Sequence, residues 1–210
     1  MITSREELQF YIMADCMMNR GYFKVPLKTR IVNLLCPDDI MSFLSLMRKC
    51  SYYGRRGGVF SLLLGGYYKI RYSKVSKRLG YTIDCNSFGY GLVLHHYGTI
   101  VVGSGSRIGN FANILHGCTI SRGGSTIGDY FFMGSGAIIT RPVKIADNVK
   151  VASNSVVNRN VDANEVIAGA PAAVKRHEDS TWMEMYSGKD GEWVRRRKEV
   201  EKLRTTMMGY

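Results

Sequence analysis

Between Val102 and Val157 an aliphatic side chain returns at every sixth position. The series runs Val102, Ile108, Ile114, Ile120 and then, after one inserted residue, Ile127, Met133, Ile139, Ile145, Val151 and Val157. A period of six fits neither a helix, whose apolar face recurs every three or four residues, nor an alternating strand, whose period is two. It fits a coil of short strands in which each hexapeptide makes one side, with the aliphatic residue pointing inward and stacking on its copies above and below. The residue that follows is mostly small (Gly103, Gly109, Ser121, Gly128, Gly134, Ala146, Ala152), as a chain turning a corner requires. Asp147, Asn148 and Asn154 sit where a corner would need left-handed backbone. A β-sandwich of short strands would not hold a six-residue register for so long. Residues 81–175 therefore predict a mainly β architecture, a parallel β-helix of hexapeptide repeats.

The flanks have another periodicity. Residues 1–80 read as an α-helical N-terminal domain. Ser4 and Glu7 form a capping box ahead of Leu8, Tyr11, Ile12 and Asp15. Pro26 suits the first turn of a short helix through Leu35, and Pro37-Asp38-Asp39 opens another with Ile40, Phe43, Leu44 and Met47 on one face. A further helix is expected from Phe60 toward Lys77, despite Gly65 and Gly66. Residues 176–210 read as a C-terminal helical tail: a turn at Gly188-Lys-Asp-Gly191, then a charged helix from Glu192 to Arg204 with Val194, Val200 and Leu203 as a thin apolar stripe.

Composition narrows the class. Apolar residues make up 45% and charged residues 22%, which excludes a disordered chain or a collagen-like fibre. Five cysteines, an odd number with no CxxC pair, suit a reducing compartment rather than a disulfide scaffold. Arg5, Glu6 and Glu7 leave no room for a secretory signal, and the apolar run Val59 to Tyr68 is about half of the roughly 20 residues a spanning helix needs. The expectation is a cytoplasmic protein, able to sit peripherally at the inner face of the membrane. The net charge of +12 is concentrated in residues 1–80, which carry +9, against +2 in 81–175 and +1 in 176–210. Such a domain suits an anionic membrane or small molecule; with no nucleic-acid-binding motif in the chain, no nucleic acid partner is expected.

Three stretches together carry a family resemblance. They are Gly91-Leu-Val-Leu-His-His-Tyr-Gly-Thr-Ile-Val-Val102, the repeat itself, and Ala168-Gly-Ala-Pro-Ala-Ala-Val174, which looks like a loop closing the last coil. The chain resembles the left-handed β-helix acyltransferases, and among them the serine-acetyltransferase-like branch, over about residues 66–175. The resemblance implies acetyl transfer from acetyl-CoA to a hydroxyl without a metal, in a homotrimer whose sites lie between subunits. His96 aligns with the catalytic histidine; a histidine of near-neutral pKa suits removal of the acceptor's proton. Counting back six from Val102 puts His96 at a nominally inward position, so either the first coil departs from ideal register or the site is opened on purpose. Asp84 is a candidate to orient His96, although its spacing differs from that of related enzymes. His95 stands where the serine enzymes carry an acceptor-binding aspartate. His116 either lines the same cleft or caps a surface turn. The coenzyme A groove is carried to Ser121, Ser135, Gly136, Ala152 and Ser153, and the nucleotide phosphates to Pro171, Lys175 and Arg176, all of them also ordinary corner or surface residues. No His, Cys, Asp and Glu cluster suggests a metal site.

Several departures bear on the acceptor. Serine acetyltransferases carry a second histidine, in an Arg-His-Pro sequence, where this chain has only Ser121-Arg-Gly-Gly-Ser-Thr126. The helical domain is shorter, and the end reads Met-Met-Gly-Tyr210 rather than the isoleucine terminus that docks cysteine synthase. With His95, these features point to a sugar hydroxyl in capsular or O-antigen polysaccharide, including a polyprenyl-phosphate-linked (lipid-linked) sugar. Serine is the alternative acceptor, and a non-enzymatic trimeric β-helix scaffold is the rival class.

Overall fold

The computed structural model describes residues 2–209; Met1 and Tyr210, and with it the terminus weighed above, lie outside the described residues. Four helices come first: α1 (Arg5–Arg20), α2 (Leu27–Leu35), α3 (Asp39–Tyr53) and α4 (Val59–Leu79). Their ends follow the sequence signals. The Ser4 hydroxyl accepts from the Glu7 amide at 3.0 Å while the Glu7 carboxylate accepts from the Ser4 amide, completing the capping box. Asp38 caps α3 through the Met41 amide. Helices α3 and α4 pack together, and Gly65 has a reason to be there: a Cβ at this position would meet the Tyr53 carbonyl at 3.1 Å. Gly66 faces open space and has no structural explanation.

Fourteen short strands follow among the described residues: β1 (Tyr81–Ile83), β2 (Val93–Leu94), β3 (Ile100–Val102), β4 (Arg107–Ile108), β5 (Asn113–Ile114), β6 (Thr119–Ile120), β7 (Thr126–Ile127), β8 (Phe132–Met133), β9 (Ile138–Ile139), β10 (Lys144–Ile145), β11 (Lys150–Val151), β12 (Val156–Val157), β13 (Glu165–Ala168) and β14 (Ala173–His177), arranged in three sheets. One sheet has the order β1-β3-β6-β9-β12, the second β10-β7-β4, and the third β14-β13-β11-β8-β5-β2. The second sheet is extended at each end by single bridges, Phe88 to Ile108 and Ile145 to Val161. Each face is thus five coils tall with neighbouring coils paired in parallel, and the third face carries β14 as an additional antiparallel strand beyond β13.

All ten repeat positions are buried, at most 4% exposed, and they form three columns. Val102 pairs with Ile120, Ile120 with Ile139, and Ile139 with Val157. Ile108, Ile127 and Ile145 make the second column, and Ile114, Met133 and Val151 the third. The small residue after each aliphatic one has a different reason from the expected one. Left-handed backbone falls at Asn148 and Asn154, as expected, and at Gly117 and Gly136, but not at Asp147. At Gly134 the constraint is the next coil: a Cβ there would lie 2.6 Å from the Ser153 amide nitrogen.

The helices fasten to the first coil. Arg48 and Asp15, each 1% exposed, form a bidentate ion pair with contacts of 2.8 and 3.1 Å. Arg48 also donates to the carbonyls of Phe88 and Gly89, and Asp15 accepts from the Leu92 amide. Asn19 bridges α1 to the sheet edge, donating to the Leu92 carbonyl and accepting from the Leu94 amide. After β14 come α5 (Trp182–Ser187) and α6 (Glu192–Met208). Trp182 is fully buried and its indole donates to the Phe111 carbonyl at 2.8 Å, pinning α5 to the β-helix. The Arg196 guanidinium of α6 donates to the Met18 carbonyl of α1.

Candidate active site

Two structural facts place His95 and His96 outside the core. The inward residue of the third sheet's first strand is Leu94, 1% exposed and paired with Ile114. From Leu94 to Val102 is eight residues rather than six, so the first coil departs from ideal register. The two histidines fall in the extra length and are exposed. The Tyr81 hydroxyl donates to the His96 carbonyl at 2.7 Å. Burial pushes the Tyr81 phenol up to about 12, so it remains a donor at neutral pH.

The histidines converge. The His96 ring lies edge-on to that of His116, with centroids 5.9 Å apart, and 6.1 Å from that of His95. His95 meets Trp193 edge-on at 5.5 Å. His95 and His96 line a cavity of about 240 Å³ together with Asn113, Leu115, Trp182, Tyr186 and Trp193. No carboxylate lines it. Asn113 is 1% exposed, and its amide oxygen accepts no hydrogen bond of ordinary geometry. His95 is held below the ordinary histidine value. Packing strips hydration from its ring, and the charges of His96, Arg20 and Arg196 act in the same sense; the Asn113 amide opposes part of the shift.

On the other side of His96 the same corner repeats down the coils. His116 follows β5 (Asn113–Ile114), Ser135 follows β8 (Phe132–Met133), and Ser153 follows β11 (Lys150–Val151). The Ser135 hydroxyl and His116 Nδ1 are 3.5 Å apart. Backbone amides stitch the column: Gly136 donates to the His116 carbonyl and Asn154 to the Ser135 carbonyl. His96 therefore stands between an aromatic cavity and a column of small polar residues.

No family model matches the chain. Among curated proteins it is 34% identical over 112 residues to serine acetyltransferase 2 of Arabidopsis thaliana, covering 50% of this chain and 35% of that protein. It is 29% identical over 93 residues to the serine acetyltransferase of Mycobacterium tuberculosis, covering 41% of each. The chain thus spans well under half the length of these curated relatives. Among solved structures, Neisseria gonorrhoeae serine acetyltransferase in complex with serine superposes with a TM-score of 0.58 at 26% identity, over 82% of this chain and 71% of that one. The Brucella abortus serine acetyltransferase in complex with coenzyme A gives 0.59 at 22% identity, over 83% and 68%. The structure is a left-handed β-helix similar to those of serine acetyltransferases.

Within that β-helix the sequence-predicted residues separate into groups. His95, His96 and His116 come together, and Ser135, Gly136, Ala152 and Ser153 continue their corner. Ser121 does not: it follows β6 (Thr119–Ile120), on a different sheet, with a buried hydroxyl lacking a hydrogen-bond partner. Asp84 is not among the cavity-lining residues; its carboxylate accepts from the Asn86 amide two residues on, which makes it a turn residue. Pro171 lies in the loop of the antiparallel hairpin formed by β13 (Glu165–Ala168) and β14. Lys175 and Arg176 are exposed on β14, and Arg176 is paired with Glu178 at 2.6 Å. Among the described residues no three His, Cys, Asp or Glu side chains converge as metal ligands.

Sequence reasoning missed the cavity's roof. Trp182, Tyr186 and Trp193 come from α5 and α6, and α5 was not anticipated. Its signal was present: Thr181 and Glu184 form a capping box of the same kind as Ser4 and Glu7.

Proposed function

We propose that the chain is an acetyl-CoA-dependent O-acetyltransferase acting on a small hydroxylated acceptor. The observation that carries this is the position of His96, which borders the aromatic cavity and also faces the His116–Ser135–Ser153 corner. The acceptor would occupy the cavity and the pantetheine arm the corner beside Ser135, Gly136, Ala152 and Ser153. A ring nitrogen of His96 takes the hydroxyl proton while the oxygen attacks the thioester carbonyl. The tetrahedral intermediate then expels the coenzyme A sulfur, which receives that proton back from the imidazolium. Trimerisation of parallel β-helices is part of this proposal, since the corner is open on its outer side.

The relatives named above favour serine as the acceptor. One observation favours a second reading, a sugar hydroxyl: the cavity offers three indole or phenol rings but no carboxylate to hold an ammonium group. Thiol release from acetyl-CoA, followed with L-serine and with a panel of free, nucleotide-linked and lipid-linked sugars, decides between them. Turnover with serine at ordinary enzymatic rates supports the first; turnover confined to a sugar supports the second. No turnover with any acceptor, and no thermal shift with millimolar coenzyme A, would return the chain to the scaffold class.

A further inference from the structure

The helical domain exposes apolar surface that nothing in the described chain covers. Helix α2 buries none of its residues. Its Leu27, Ile31, Leu34 and Leu35 fall at i, i+4, i+7 and i+8, one stripe of a helix, with Leu35 91% exposed. Lys28 and Arg30 flank that stripe, with no acidic residue in the helix. The first three turns of α4 repeat the pattern. Tyr72, Val75 and Leu79 face inward, whereas Val59, Phe60, Leu62, Leu63 and Ile70 face outward, Phe60 73% exposed. Further along, the outward face turns basic, with Lys69, Arg71, Lys74 and Lys77.

The charge around this face is one-sided. From residue 40 to residue 83 the chain holds nine Lys and Arg and no Asp or Glu. Arg48 is paired with Asp15 and Arg78 with Asp39. Arg55, Arg56 and Lys69 line a cavity of about 380 Å³ between the end of α3 and α4, beside the exposed Leu62. We infer that this face docks on an anionic lipid surface. The apolar side chains enter the headgroup boundary, and the basic ones meet lipid phosphates. A second copy of the chain is a poorer occupant, because a two-fold contact would set this positive surface against itself. No helix is long and apolar enough to cross a membrane, so the association is interfacial and reversible. The inference stands independently of the acetyl-transfer reading.

The test is flotation of the full chain with vesicles of phosphatidylglycerol and phosphatidylcholine, against phosphatidylcholine alone. Recovery is expected with the anionic vesicles and not the neutral ones, falling as salt rises from about 0.1 to about 0.5 M. The double variant Phe60→Ser/Leu63→Ser should lower partitioning roughly tenfold or more. Lys69→Glu/Lys74→Glu should do the same at low salt, and both should keep the parent's melting temperature and sedimentation coefficient. Absence of flotation, or equal and salt-indifferent recovery with both vesicles, would overturn the inference. So would a Phe60→Ser/Leu63→Ser variant that sediments as a smaller species, which would make this face a contact between copies.

Discussion

Replacing Arg48 with Met tests what holds the histidine-bearing coil in place. The guanidinium makes four short contacts, two to Asp15 and one each to the carbonyls of Phe88 and Gly89, and both ionic partners are 1% exposed. Met fills much of the same volume, so the loss is electrostatic rather than a cavity. Removing one member of a buried ion pair typically destabilises by about 3–5 kcal/mol, because the other charge is left desolvated. For a chain of this size that converts to a fall in melting temperature of roughly 6–20 °C at fixed protein concentration. The deficit should depend on pH in a specified sense. Without Arg48, burial acts on the Asp15 carboxyl with much less opposition and raises its folded-state pKa. The variant then takes up a proton on folding, so its stability falls as pH rises from the unfolded value near 4 through the raised folded value. Denaturant unfolding of Arg48→Met between about pH 4.5 and pH 8 should show the gap to the parent narrowing toward acid. Adding Asp15→Asn should recover part of the loss at neutral pH, since no charge is then buried alone. A variant within about 1 kcal/mol of the parent, or a double variant whose loss is the plain sum of the two singles, would refute the clamp.

His96→Ala should lower turnover by about a hundredfold to ten-thousandfold with little change in coenzyme A affinity, measured by steady-state kinetics and calorimetry. Asp84→Asn should leave turnover within a few-fold of the parent, because the carboxylate serves a turn; a loss comparable to that of His96→Ala would restore Asp84 as an orienting group. Gly134→Val should weaken coenzyme A binding and destabilise the coil, since even a Cβ would lie 2.6 Å from the Ser153 amide nitrogen. The lowered pKa of His95 makes stability fall with acid: the unfolded ring gains its proton near the ordinary value of about 6.5 while the folded ring resists. Thermal melts from pH 7.5 to pH 5 should therefore show the parent losing more melting temperature toward acid than His95→Gln, which lacks the titrating ring.

The β-helix was legible because its signal is written once per coil and ten times over. Each of Val102 to Val157 is decided by the same inward packing, so the pattern survives one inserted residue. The helix starts at Ser4 and Asp38 were legible for a local reason, a side chain capping a nearby amide. The site was legible only in part. His96 was marked by a motif, but its exposure follows from two extra residues between Leu94 and Val102, a register change visible only once the strands are paired. Ser121 stands apart from Ser135 and Ser153 because it follows a strand of another sheet, so one residue spacing does not place all three at one corner. The aromatic walls were the least legible part: α5 carries only a capping signal, and Trp193 reaches His95 from a helix that the local sequence marks merely as charged and thinly apolar.

The link between Arg196 and the Met18 carbonyl joins residues 178 positions apart, and that distance governs when the site comes into being during synthesis. The coils can stack one upon another as they leave the ribosome, each needing only the coil before it. His95, His96 and His116 are then in place with their aromatic wall still untranslated. Tyr186 and Trp193 arrive only with residues 182–208, and the wall is set only when α6 returns to dock on α1. A nascent chain halted after β14 would carry stacked coils and grouped histidines but no enclosed place for an acceptor. The cavity is thus completed at the final docking step, well after the coils themselves have been made.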